Sequence, residues 1–260
     1  MNPPTDEQLV DVGGYRLWTK LTGDDAPTVV FESGGGDDAS VWSAVEPELR
    51  RQRSVSTFLY DRAGLGRSEP KPGPYRIGDE VEALRAALSA RGIDGAVILV
   101  THSYGGFVSL LTAARDERVA GLVLVDANLP GFFDPGQVER LLERFQPVAP
   151  AMEREAPNIA RVMVPLMRAL PATARELRET PIPLSLPVID IVAERSWIDL
   201  PDEIQALRQE HEKFVAASPD RAKVFAAECG HYVMRDRPDL VVAAVVQLID
   251  RHRSNGKRRP

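Results

Sequence analysis

The chain has one cysteine in 260 residues, only four histidines, 6% aromatics and no excess of basic charge. Cys229 on its own can form neither an internal disulfide nor a thiolate zinc cluster. With 32 Lys and Arg against 38 Asp and Glu, the net charge is −6, which argues against a nucleic-acid partner. Every apolar run is far shorter than the ~20 residues of a membrane span. The opening Met1-Asn2-Pro3-Pro4-Thr5-Asp6-Glu7 lacks the basic and apolar regions of a signal peptide. The expectation is a cytoplasmic protein with no membrane partner and no metal or other cofactor. What is present is ordinary for a folded domain: 43% hydrophobic and 27% charged residues, too apolar for a disordered chain.

Short β-branched runs recur along the chain. Val10–Val12 and Tyr15–Thr19 flank Gly13-Gly14 and read as a hairpin. Thr28–Ser33 ends in Gly34-Gly35-Gly36, and Val55–Tyr60 ends in Asp61-Arg62-Ala63-Gly64. Ala96–Thr101, Gly121–Asp126 and Pro187–Ala193 are apolar on both faces, as buried parallel strands are; Ala222–Ala226 is shorter. Helical spacing appears over Asp79–Arg91, Tyr104–Arg115 and Pro238–Arg251. Strands alternating with helices imply a mostly parallel sheet covered on both faces, an α/β fold. Residues 129–186 break the rhythm with proline-punctuated helical segments and read as a lid, leaving a core of 1–128 and 187–252. Residues 253–260 read as a frayed basic tail.

Thr101-His102-Ser103-Tyr104-Gly105-Gly106 lies between a buried strand and an apolar helix. Ligands bind beyond the carboxyl ends of such strands, so a tight turn there aims the Ser103 hydroxyl into the crevice. The arrangement is that of a nucleophile elbow, G-x-S-x-G, with Thr101 in place of the first glycine. A serine needs a base to take its proton. Of the four histidines, His102 reads as a packing residue, His211 as a solvated residue in a polar helical stretch, and His252 as part of the tail. His231, in a loop after a strand, remains. The backbone N–H of Tyr104, at a helix start, and that of Gly35 are the candidate oxyanion donors. A phosphate cradle at Gly34–Gly36 is disfavoured, because Asp37-Asp38 follows instead of Gly-Lys-Ser/Thr. Gly64-Leu65-Gly66 is no dinucleotide fingerprint, since Pro70, Pro72 and Pro74 follow it instead of a helix.

Phe31-Glu32-Ser33-Gly34-Gly35-Gly36, Tyr60-Asp61-Arg62-Ala63-Gly64-Leu65-Gly66-Arg67-Ser68, Thr101–Gly106, Gly121–Asp126 and Gly230-His231 together resemble the α/β-hydrolase superfamily over nearly the whole chain. The resemblance implies an eight-stranded, mostly parallel sheet, helices on both faces and a helical cap. It implies Ser103 as nucleophile, His231 as base, and Gly35 and Tyr104 as oxyanion donors. The triad acid departs from the common pattern. Where members usually carry an aspartate after the strand Val188–Val192, this chain reads Ala193-Glu194-Arg195-Ser196-Trp197-Ile198-Asp199. A minority of the superfamily, including some haloalkane dehalogenases and a zearalenone lactonase, place the acid after the preceding strand. Asp126 stands there and is favoured over Asp199, with Glu194 third.

These readings point to a serine hydrolase acting on a carboxylic ester, lactone or thioester of a small molecule. The alternatives are a non-hydrolytic enzyme of the same fold (acyltransferase, cofactor-free haloperoxidase or lyase) and a ligand-binding receptor that keeps the pocket. Candidate substrate-binding residues are Trp42 after the glycines and, in the lid, Phe132, Phe133, Phe145, Met152, Met163, Leu166 and Met167. No cluster of Arg or Lys demands an anionic substrate.

Overall fold

The computed structural model describes residues 5–256. Eight strands form one sheet in the order β1-β2-β4-β3-β5-β6-β7-β8. They are β1 (Thr5–Asp11), β2 (Arg16–Thr22), β3 (Thr28–Glu32), β4 (Ser56–Tyr60), β5 (Val97–His102), β6 (Val119–Val125), β7 (Val188–Ala193) and β8 (Arg221–Ala226). β2 runs antiparallel to β1 and β4, and all other pairings are parallel. The hairpin turn is held by the Asp11 carboxylate, which accepts from Gly13 N at 2.9 Å, and both of its glycines have positive φ. β3, β4, β5 and β7 are buried at every residue, which is why they read as continuous apolar runs and not as alternating ones.

The helices are α1 (Val45–Gln52), α2 (Ile77–Ala90), α3 (Gly105–Arg115), α4 (Pro135–Phe145), α5 (Ala149–Glu155), α6 (Pro157–Arg168), α7 (Leu170–Glu179), α8 (Pro201–Ala216), α9 (Val233–Asp236) and α10 (Pro238–Gly256). Core side chains form two clusters. One includes Val30, Leu99, Leu122 and Phe107; the other includes Phe31, Val100, Val123 and Val245. Adjacent residues of β3, β5 and β6 therefore go to different clusters, as the two-residue side-chain period requires.

Helices α4–α7 fill the interval between β6 and β7. The prolines that punctuate it are largely helix starters: Pro135 and Pro157 open α4 and α6, where a missing N–H costs nothing. The expected frayed tail needs correction. α10 continues to Gly256, and Arg253 donates to the carbonyls of Ser54 (2.7 Å) and Ala26 (3.1 Å), so this basic segment caps the chain's own loops. Residues 257–260 lie outside the described residues. No helix among the described residues is long and apolar enough to cross a membrane.

Candidate active site

β5 ends at His102 and α3 begins at Gly105, leaving Ser103 and Tyr104 to make the turn. Ser103 has φ 53°, a left-handed conformation that an L-residue adopts only when its surroundings impose it. Three main-chain bonds impose it. Ser103 O accepts from Gly106 N (3.0 Å) and Asn128 N (2.9 Å), and Ser103 N donates to Val125 O (3.3 Å). The glycines that follow are needed for close approach. A Cβ at Gly105 would lie 2.5 Å from Ser33 O, and one at Gly106 would lie 2.8 Å from the Ala127 Cβ. Thr101, in place of the first glycine, is still within β5 and fully buried, with Oγ1 against Gly105 and without a hydrogen-bond partner among the described residues. Gly105→Ala should push α3 off β3. The expected loss is about 1–3 kcal/mol, read as a lower denaturation midpoint at unchanged slope.

His231 Nδ1 lies 2.6 Å from Asp126 Oδ2. Asp126 is held on its other side, where Oδ1 accepts from Ala193 N at 3.0 Å and its own N–H donates to Ile191 O at 2.7 Å. It too has positive φ, 43°, as the chain turns off the end of β6. Asp199 is exposed and makes no hydrogen bond or ion pair among the described residues. Glu194 accepts from Glu228 N at 2.5 Å and so braces the loop before His231.

Two other histidines differ from expectation. His211 is 1% exposed, not solvated, and its Nδ1 sits 2.8 Å from Asp190 Oδ2. It lies on the face of α8 that also buries Leu207 and Phe214. His102 is buried, and it does more than fill space. Its ring is 4.4 Å from that of His231, and its Nε2 is 3.0 Å from the His231 carbonyl. A carbonyl only accepts, so Nε2 carries the proton and anchors the main chain of His231. Burial lowers the His102 pKa, against the pull of Asp37, and keeps the imidazole neutral. His252 is half-buried in α10.

A Cβ built at Gly35 would come 3.6 Å from that of Tyr104, so the two candidate oxyanion donors are neighbours. Neither N–H has a partner among the described residues. Arg62, which sequence reading passed over, holds the glycine loop from behind. Its guanidinium donates to the carbonyls of Ser33 (3.0 Å), Gly34 and Gly35 (3.0 Å) and to Glu32 Oε1 (2.9 Å). Tyr60 adds its hydroxyl to Glu32. Burial pushes the Glu32 carboxyl up to about 8 against the opposing pull of Arg62.

Ser103, Tyr104, Gly35 and His231 open onto one cavity of about 380 Å³. Of the candidate wall residues, Phe133, Met152, Met163, Leu166 and Met167 line it, with Met163 Sδ 3.1 Å from a Cβ built at Gly35. Three expected wall residues are elsewhere. Trp42 is fully buried beneath the sheet against Phe31, at 5.3 Å between rings, because the turn Ala39–Trp42 swings it into the core. Phe132 packs edge-on against Phe133 and Trp197 instead of reaching the cavity. Phe145 lines a larger cavity of about 930 Å³ among α4–α7 that contains none of Ser103, Tyr104 or His231. Chemistry, not size, singles out the smaller one. Sequence reading missed Asn128 and Trp197 in its wall. Trp197 could have been suspected from its place in the loop after β7.

A family model described as the alpha/beta hydrolase family matches residues 29–244. Among curated relatives, lipase LipV of Mycobacterium tuberculosis is 49% identical over 67 residues, 25% of each chain. The uncharacterised YqjL of Bacillus subtilis is 30% identical over 125 residues, 47% of this chain and 49% of that one. The chain thus spans about half or less of these relatives' length. A crystal structure of the enol-lactonase from Burkholderia xenovorans superposes with TM-score 0.65 at 20% identity, covering 94% of this chain and 100% of that one, a likeness of fold. The family match begins at the first parallel strand and ends inside the closing helix, and on that extent the chain belongs to the alpha/beta hydrolase family.

Proposed function

We propose that the protein is a serine hydrolase that cleaves a carboxylic ester, lactone or thioester through an acyl-enzyme on Ser103. The 2.6 Å bond between Asp126 and His231, at the edge of the cavity that also holds Ser103, carries this reading. With Nδ1 engaged by a carboxylate, His231 is left with Nε2 to take the Ser103 proton. Oγ bonds to the carbonyl carbon, and the carbonyl oxygen takes the negative charge between the Gly35 and Tyr104 N–H groups. Collapse of this intermediate breaks the bond to the leaving oxygen, or sulfur for a thioester, which receives the proton from His231. Water, deprotonated by His231, then attacks the acyl carbon; the acyl–Oγ bond breaks as His231 returns the proton to Oγ, releasing the acid and free Ser103. Residues 129–186 act as a cap that closes the apolar side of the cavity.

The active-site serine should be covalently trapped by a fluorophosphonate. The expected result is a single phosphonyl adduct in the intact mass, mapping to the peptide that carries Ser103. An unlabelled protein, or an adduct on another residue, would overturn the assignment.

A further inference from the structure

The wall of the cavity is apolar where α4–α7 supply it and polar around His231, where His102 and Tyr232 are each tied to the protein by one side-chain hydrogen bond, although His102 Nδ1, 3.6 Å from Asp37 Oδ2, makes none. His102 Nε2 holds the His231 carbonyl, and the Tyr232 hydroxyl donates to Asp37 Oδ1 at 3.3 Å. Asn128 is different. It lines the cavity, it is 8% exposed, and its buried side-chain Oδ1 has no hydrogen-bond partner among the described residues. The contribution of Asn128 to the elbow is its main-chain N–H to Ser103 O, which any residue other than proline would supply. A buried amide oxygen left unpaired destabilises the fold, whereas leucine, of similar volume, would fill the same space without that cost. The amide is therefore poorly explained by folding and well explained by a ligand.

We infer that the Asn128 amide is a polar anchor for the substrate, selecting acyl groups that carry a hydroxyl or similar hydrogen-bonding substituent within a few bonds of the scissile carbonyl. The short range follows from the chain. Asn128 is two residues from Asp126 and one main-chain bond, 2.9 Å, from Ser103. Its amide oxygen and nitrogen exchange places by a half-turn of the side chain, so it can accept or donate, and a hydroxyl answers both. The remaining wall, with Phe133, Leu141, Met163, Leu166 and Leu170, suits the hydrocarbon part of an uncharged acyl chain. This inference rests on the serine-hydrolase reading of the same cavity.

The test compares p-nitrophenyl hexanoate with its 2-hydroxy and 3-hydroxy counterparts on the wild type and on Asn128→Leu. The wild type should prefer at least one hydroxy ester by about tenfold in kcat/KM, the equivalent of one ordinary hydrogen bond. Asn128→Leu should erase or invert that ratio while still turning over plain hexanoate. A purely structural role would lower all three rates together and leave the ratios alone. A wild type that discriminates against both hydroxy esters, or shows no preference, overturns the anchor, and so does a preference that Asn128→Leu retains. Should the leucine variant fail to fold, Asn128→Ala takes its place. Thermal shifts with hexanamide and its 2-hydroxy and 3-hydroxy forms separate the two ideas. A larger shift for a hydroxy amide, seen in wild type and absent in the variant, supports the anchor even if no ester is turned over. The lack of turnover would then count against the hydrolase reading alone.

Discussion

Ser103→Ala should reduce turnover of a p-nitrophenyl ester by about 10⁶-fold while leaving the protein folded. The magnitude is that of removing an attacking oxygen from a triad whose members act as a unit. The residual rate would come from the Gly35 and Tyr104 donors and from binding. The fold should tolerate the change because the strained turn is held by main-chain groups: Gly106 N and Asn128 N on the Ser103 carbonyl, and Ser103 N on Val125 O. Alanine keeps all three, and it bears the positive φ at the same modest cost as serine. The Oγ itself makes no hydrogen bond among the described residues, so its loss strands no buried partner. Stability should stay within about 1 kcal/mol of wild type, as for a substitution away from any packing or network mechanism. Turnover within tenfold of wild type in a folded variant would remove Ser103 from the chemistry.

Strands β2 to β8 were legible because they make their hydrophobic pattern locally, as short runs; of β1, exposed at six of its seven residues, only the end beside Gly13-Gly14 was legible. The elbow was legible for the same reason: strand, serine, glycine pair and apolar helix are contiguous in sequence. What needed the fold were contacts between distant segments. Arg62 lies about 30 residues from the loop it braces, and nothing local marks it as more than one charge in a turn. Trp42 misled because nearness in sequence to Gly34–Gly36 is not nearness to the cavity; the 3-10 turn Ala39–Trp42 sends it to the opposite side. His211 misled because α8 is dominated by charge. The signal was present, however. Glu203, Leu207, His211 and Phe214 recur every three to four residues and form the buried stripe of that helix. The choice of acid could not be made by elimination, since 38 carboxylates compete. It turns on which strand end faces His231, a property of the sheet order β6-β7-β8.

Asp126→Asn should lower kcat by about 10⁴, whereas Asp199→Asn should change it less than twofold. The difference follows from what each carboxylate touches. Asp126 Oδ1 accepts from Ala193 N at 3.0 Å, so an asparagine there keeps its amide oxygen on that donor and turns its NH₂ toward His231. Nδ1 of His231 then faces a donor instead of an acceptor and must give up its proton. The imidazole adopts the tautomer with hydrogen on Nε2 and can no longer accept from Ser103. The shape of the site is preserved and its proton logic is reversed, so the loss should appear in kcat with little change in KM. Asp199 sits in an exposed loop with no partner among the described residues, and neutralising it alters only a screened surface charge. Circular dichroism and the denaturation midpoint would establish that both variants are folded. A 10⁴-fold loss in Asp199→Asn with Asp126→Asn active would transfer the role of acid across β7 and require the loop after that strand to close on His231.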